Sequence, residues 1–394
     1  MSIVSESLND SQRAEFLEAA RVAGLWFANN QNAPHQRWGG VDESADEGRF
    51  LYEYFPATGQ CRGTGVWSQA LAVSSLLCLG RVKGLEKAGT FTQHAEWGAG
   101  YLCSLQFLDN RYPKSYGAFR EHTPQTPWGS CRDAATGCFG LATLGKLTEK
   151  ADYLDRANLF CQWYSRHGSD DGTWPYRFFD HETAEGREGI HGDWQAGGAL
   201  AYYYTAKTAG DDRWLNDGLK PVAEQLLTVG DPSDVDGSSA GWHGQSRITV
   251  GNDDFATITA LAAFLAFDDQ RYLDLARKRI KWMMSLQAES GAFPNYGGTF
   301  VTALTLLDFV EIAHIKKLRD DTAPMTDALL RAATFGLSLQ ENGHADRRAY
   351  GGLYGQSNYG VGRDRIHNRS TNYAIHLWLR LAGHEAPCVS ALGW

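Results

Sequence analysis

Aspartates open three of the apolar helices predicted for this chain: Asp133 in WGSCRDAATG, Asp193 in IHGDWQAGG, and Asp253 with Asp254 in VGNDDFATIT. Carboxylates on successive helices can flank one bond, one protonated as acid and one acting as base on water, which makes Asp133 and Asp193 a candidate hydrolytic pair. An aspartate at a helix start also serves as a cap, and both roles suit these positions. A second set is His191, His243, Tyr296 and Tyr359, accompanied by Arg247, Asn252, Asn358 and Arg365. Such a set supplies a base, an acid and neutralising donors, which is what removal of a weakly acidic C–H proton beside a carboxylate requires.

Arginine and tryptophan surround these candidates. The stretch YGGLYGQSNYGVGRDRIHNRSTNY holds Arg363, Arg365 and His367, and between Arg363 and Arg369 three arginines and a histidine face one aspartate. Its positive charge is therefore not balanced by its own neighbours. Arg132, Arg177 and Arg247 lie in other loops. Guanidinium forks bind carboxylate or sulfate, and a nearby acidic side chain is the competing partner for each. Trp38, Trp128, Trp174 and Trp242 share the loops. Their rings either stack on the C–H face of a pyranose or pack the loops down.

The elements that position these residues alternate. SLQ recurs at Ser104–Gln106, Ser285–Gln287 and Ser338–Gln340, each time ending an amphipathic pattern and leading into a Gly/aromatic loop. Six small-residue apolar helices are predicted to begin near Val66, Arg132, Gly192, Asn252, Gly298 and Ser370. Six amphipathic ones span 11–29, 91–106, 150–166, 211–228, 269–287 and 324–340. Short connections lead from the apolar to the amphipathic helices and long ones lead back, so the long loops share the face where the apolar helices begin.

On this alternation the chain resembles the (α/α)6 toroid carbohydrate-active enzymes, among them polysaccharide lyases, unsaturated glucuronyl hydrolases and sugar epimerases. The resemblance implies an all-α fold, an (α/α)6 toroid of six inner and six outer helices, as a single domain over residues 1–394. It also implies an acidic, uronate-containing saccharide as substrate and cleavage by β-elimination, as in a polysaccharide lyase. Hydrolysis is the first alternative, because RDAATGCFGLATLGKL and GDWQAGGALAYYYTAKT are similar in style to glucuronyl hydrolase helices that open with a catalytic aspartate. Epimerisation on the same fold is the second.

Composition sets the outer bounds. A net charge of −9 argues against a general nucleic-acid binder, which needs excess positive charge to displace counterions. No apolar run long enough for a membrane span occurs. Seven cysteines without a C-x-x-C spacing read as reduced thiols rather than a zinc site. The polar start MSIVSESLNDSQRAEF lacks the pattern of a secretion signal, so a cytoplasmic location is expected. No cofactor is expected, although the acidic stretches SDDG and DPSDVDG could hold calcium.

Overall fold

The computed structural model describes residues 3–34, 46–168, 176, 178–187, 192–228, 253–293, 298–357 and 360–388, with the backbone alone at 192–197, 253–255, 298, 356–357 and 360–363. The amphipathic helices are α2 (Asp10–Asn30), α4 (Ala88–Ser104), α6 (Ala151–His167), α8 (Lys220–Thr228, preceded by a π-helical turn at Trp214–Leu219), α10 (Gln270–Ser285) and α12 (Ala323–Leu339). The apolar ones are α3 (Val66–Gly80), α5 (Cys131–Thr148), α7 (Gly192–Ala209), α9 (Asp253–Phe267), α11 (Gly298–Ile315) and α13 (Asn368–Leu381). All twelve lie where the hydrophobic periodicity places them. A short α1 (Ile3–Ser7) precedes them, and no described helix is long and apolar enough to cross a membrane.

The long loops carry short strands that the sequence did not announce. One sheet, ordered β2-β1-β7-β6, joins β1 (Leu51–Phe55) and β2 (Gln60–Gly63) to β6 (Tyr354–Ser357) and β7 (Gly360–His367). The other, β3-β4-β5, joins Trp128–Ser130, Phe178–Asp180 and Glu185–Arg187. β3 runs without a break into α5, and β7 into α13. These two apolar helices thus receive their first turn directly from a strand.

Two compact units partition the chain: Met1–Thr64, Leu71–Gly98 and Ile280–Trp394 form one, and Gly65–Ala70 with Ala99–Arg279 the other. In the second unit α5 and α6 are antiparallel, with Gly145 against Leu154 and the Cys138 and Cys161 sulfurs 3.9 Å apart. α6 and α7 are antiparallel too, with Tyr164 stacked edge-on to Tyr202 at 5.8 Å and Cys161 3.5 Å from Thr205. It follows that α5 and α7 run the same way and begin at the same end. In the first unit α2 starts at a reciprocal cap between Asn9 and Gln12 and α13 is held against α12 by a bond from Trp378 Nε1 to the Ala333 carbonyl at 3.2 Å.

A repeated latch roots the loops. Gln31, Gln106, Gln287 and Gln340 end α2, α4, α10 and α12, and each uses both hydrogens of its side-chain amide. One goes to the carbonyl of a loop glycine: Gly48 at 2.9 Å, Gly117 at 3.1 Å, Gly291 at 3.0 Å and Gly351 at 3.2 Å. The other goes to a carbonyl on another amphipathic helix: His94 of α4, Arg156 of α6, Ala328 of α12 and Ala19 of α2, at 2.8–2.9 Å. In all four the glycine N–H donates to the carbonyl of the residue after the glutamine. All four glycines have φ between 84° and 98°. At three of them a Cβ would meet the carbonyl of the same neighbouring helix, at 2.5 Å from Leu159 O, 2.5 Å from Arg331 O and 2.2 Å from Val22 O. Two residues beyond each glycine a large apolar side chain is buried: Phe50, Phe119, Phe293 and Leu353.

Replacement of Gln340 by Leu takes this donor from the Gly351 carbonyl, removes the second bond to the mid-helix Ala19 carbonyl, and should lower stability by about 1–3 kcal/mol. Gly351→Ala forces both a left-handed backbone and a backbone clash, and should cost about 3 kcal/mol or more. Urea unfolding of both variants checks the order; a neutral Gly351→Ala would show that the latch glycine is dispensable.

Candidate functional site

In the second unit the start of α5 gathers the polar side chains. Its N-cap is Ser130, whose hydroxyl accepts from the Asp133 N–H at 3.4 Å, so Asp133 is not the cap of its own helix. The Asp133 carboxylate is instead held from two sides. Arg132 Nε donates to Oδ1 at 3.2 Å, and Glu121 shares a hydrogen bond with it from the loop before β3. Asp133 keeps 13% of its side-chain surface exposed, whereas Glu121 is 4% exposed. Burial first, and then the neighbouring Asp133, push the Glu121 carboxyl well above the usual carboxylate range, so Glu121 is the member of the pair that keeps its proton.

Aromatic rings pack against one another on the same loop and on β3. Trp128, partly buried, meets His122 edge-on at 5.5 Å and Phe178 at 5.4 Å. The strand pairing sets Trp128 opposite Asp180, which is buried and ion-paired with Arg187. Asp193 is the second residue of α7, which begins at the same end as α5, and its side chain lies outside the described residues.

In the first unit the β1–β7 pairing sets Glu53 opposite His367. Glu53 is 2% exposed and paired with two arginines, Arg365 Nη1 at 2.8 Å from Oε1 and Arg62 Nη1 at 3.5 Å from Oε2. The charge of Arg365 is thus balanced by a strand more than 300 residues earlier, not by its own loop. His367 is wholly buried and caps α13, its Nδ1 accepting from the Arg369 N–H at 3.1 Å, which leaves the ring hydrogen on Nε2. Burial, then Arg369 and Arg365, hold its pKa well below the usual 6.5. The Tyr52 ring lies edge-on to it at 4.7 Å. Beneath the cap, Asn368, Asn372 and His376 follow at four-residue spacing; Asn372 bonds Asn368, and Ser75 of α3 lies 2.8 Å from Asn372 and 3.1 Å from His376.

Of the remaining residues that the sequence nominates, Arg363 lies on β7 with its side chain outside the described residues. His191, His243, Tyr296, Tyr359, Trp38, Trp174, Trp242, Arg177, Arg247, Asn252 and Asn358 lie outside them altogether, as do the acidic stretches SDDG and DPSDVDG. Glu121 and Glu53 were not nominated. Glu121 is twelve residues from Asp133 and Glu53 lies in an acidic segment, so neither spacing nor composition sets them apart. Among the described residues one group has metal-ligand spacing, Asp308, Glu311 and Cys388, with ligand atoms within 4.8 Å. The Arg380 guanidinium already fills it, at 2.7 Å from Asp308 and 2.6 Å from Glu311.

No protein-family model and no curated protein sequence matches the chain. Solved structures do. The chain is similar to cellobiose 2-epimerase from Spirochaeta thermophila (14% identity, 95% of this chain and 98% of that one, TM-score 0.68). It is similar to an unsaturated glucuronyl hydrolase specific for heparin (11% identity, 95% and 98%, TM-score 0.66). A GH76 α-mannanase of Bacteroides thetaiotaomicron is a third (13% identity, 96% and 97%, TM-score 0.64). At these identities the likeness shows the fold, which is the (α/α)6 toroid.

Burial also lowers the pKa of His181 to about 4 and of His376 to about 3, so with His367 three histidines are neutral when folded. Their folded values lie below the unfolded one. The stability they contribute is therefore complete above pH 6.5 and is lost as the pH falls, at up to about 1.4 kcal/mol per pH unit for each group. Urea midpoints should decline between pH 6.5 and about pH 5, above the range of ordinary carboxylates; flat midpoints there would contradict the burial assigned to these rings.

Proposed function

We propose that the chain is a carbohydrate-active enzyme that hydrolyses a glycosidic bond in an acidic, uronate-containing saccharide, with Asp133 touching the reacting bond. The observation that carries this is the partly exposed Asp133 carboxylate, fixed by Arg132 and by the protonated Glu121. A hydrolase needs two carboxyl groups about 5–9.5 Å apart across the bond. Glu121 is in direct hydrogen-bond contact with Asp133 and buried, so it is too close to be the second. Asp193 fits that place, since it opens the neighbouring helix at the same end.

The solved structures that share the fold include enzymes named as hydrolases and as epimerases of saccharides, which supports a saccharide substrate. Its acidic character is supported by the partly exposed Arg132 and by the amide-rich start of α5, both of which favour an anion. β-Elimination drew its support from the locally unbalanced charge of the Arg363–Arg369 stretch and from the set His191, His243, Tyr296 and Tyr359, which lies outside the described residues. Glu53 balances Arg365, which weakens the first of these grounds and favours hydrolysis.

A panel of saturated and unsaturated uronate oligosaccharides, followed by reducing-end release and by the ultraviolet absorbance of the C4–C5 double bond, tests the proposal. Expected are new reducing ends with no new absorbance, and loss of absorbance where the substrate is unsaturated. Asp133→Asn should lower kcat by about 10²–10⁴ with a smaller change in KM. A rise in absorbance would mean elimination, and a changed sugar configuration at constant chain length would mean epimerisation; either outcome overturns hydrolysis.

A further inference from the structure

Glu121 cannot touch a substrate, yet the loop is built around its carboxyl group. Its N–H donates to the Trp128 carbonyl at 3.0 Å and its own carbonyl accepts from Val66 N at 2.7 Å, which locks the backbone. The Ser130 N–H donates to Oε2 at 3.0 Å. Residue 65 is a glycine, and a Cβ there would lie 3.0 Å from Oε1, so the carboxyl fills the space that a side chain would take. The charged and titratable groups around it are Asp133 and Arg132 from α5, His122 from its own loop, whose Nδ1 would be 3.3 Å from that same Cβ, and Tyr101 from α4, which bonds the His122 carbonyl at 2.8 Å.

We propose that Glu121 is the positioning residue of this site, sharing a single proton with Asp133 so that the two carboxyl groups work as a monoanion with the Asp133 oxygen turned outward. This rests on Asp133 being the carboxylate that meets the substrate. Two carboxyl groups in hydrogen-bond contact cannot both ionise without strong repulsion, and they lose their protons in two separated steps that belong to the pair. One backbone N–H is a modest offset for an ionised, fully buried Glu121. The proton therefore stays on the buried partner, and its O–H holds the Asp133 carboxylate in one orientation. Above the second step the dianion forms, repulsion turns Asp133 away, and activity falls.

Glu121→Gln keeps the shape, an acceptor for Ser130 N–H and a donor for Asp133, but has no proton to lose. The wild-type pH profile of kcat/KM should have an alkaline limb falling about tenfold per pH unit, and the variant should lack that limb while losing about tenfold at the optimum. The same alkaline limb in Glu121→Gln would overturn the proposal. A second readout needs no substrate. The folded pKa of Glu121 lies above its unfolded value, so its stabilisation is complete below pH 4.5 and fades as the pH rises. The stability of wild type minus that of Glu121→Gln should fall as the pH is raised from 4.5, and a constant difference would refute proton sharing. Should Glu121→Gln fail to fold, Asp133→Asn serves: without the neighbouring charge the folded pKa of Glu121 falls, so the alkaline loss of stability should end at lower pH than in wild type, and no movement or an upward one would refute the pair. If Asp133→Asn is instead fully active, the proposed function fails while these stability measurements still decide the pairing.

Discussion

A primary amide has two hydrogens to give, and the framework depends on where four glutamines send them. Each ties the end of one amphipathic helix to the root of its loop and to another amphipathic helix, giving a donor to the loop glycine's carbonyl and a second bond to a helix carbonyl. The loop glycine completes the joint because only a residue without Cβ can take its backbone conformation so close to a neighbouring carbonyl. The two buried glutamates follow from these roots. Glu53 comes five residues after Gly48, and Glu121 four after Gly117, so the joint that fixes the loop also fixes the depth at which its carboxyl enters the protein.

Those two glutamates meet burial in opposite ways. Glu53 is matched with Arg365 and Arg62, and such a pair resists the removal of one member more than it adds net stability. Glu121 has a carboxylate for a neighbour and keeps its proton. The first arrangement is a structural brace between the start and the end of the chain. The second keeps a proton inside the protein, next to a carboxylate.

The helices were legible because burial imposes a period that survives in the residues themselves: small apolar runs such as VWSQALAVSSLLCLG read as buried on all sides, and each SLQ marked a helix end. The purpose of the glutamine was not legible, since its partners, such as Ala19 for Gln340, are backbone groups far along the chain with no side-chain signature. The short strands escaped for a related reason. Three- to five-residue pairings such as β3 with β4 are set by where the loop roots are held, not by local propensity. Asp133 was found from its position at a helix start, but its proton-bearing neighbour was not, because Glu121 becomes special only when Ser130 and Gly65 close around it.

Between glutamine and glycine the chain spends very different lengths: three residues after Gln287, ten after Gln106 and after Gln340, sixteen after Gln31. The closure is the same in all four, and the entropy of a longer loop grows only logarithmically. Insertions there are therefore nearly silent to folding. A lineage built on such joints can trade whole loops, lengthening or replacing the segment that meets a ligand, while the ring that carries it goes on being inherited unchanged.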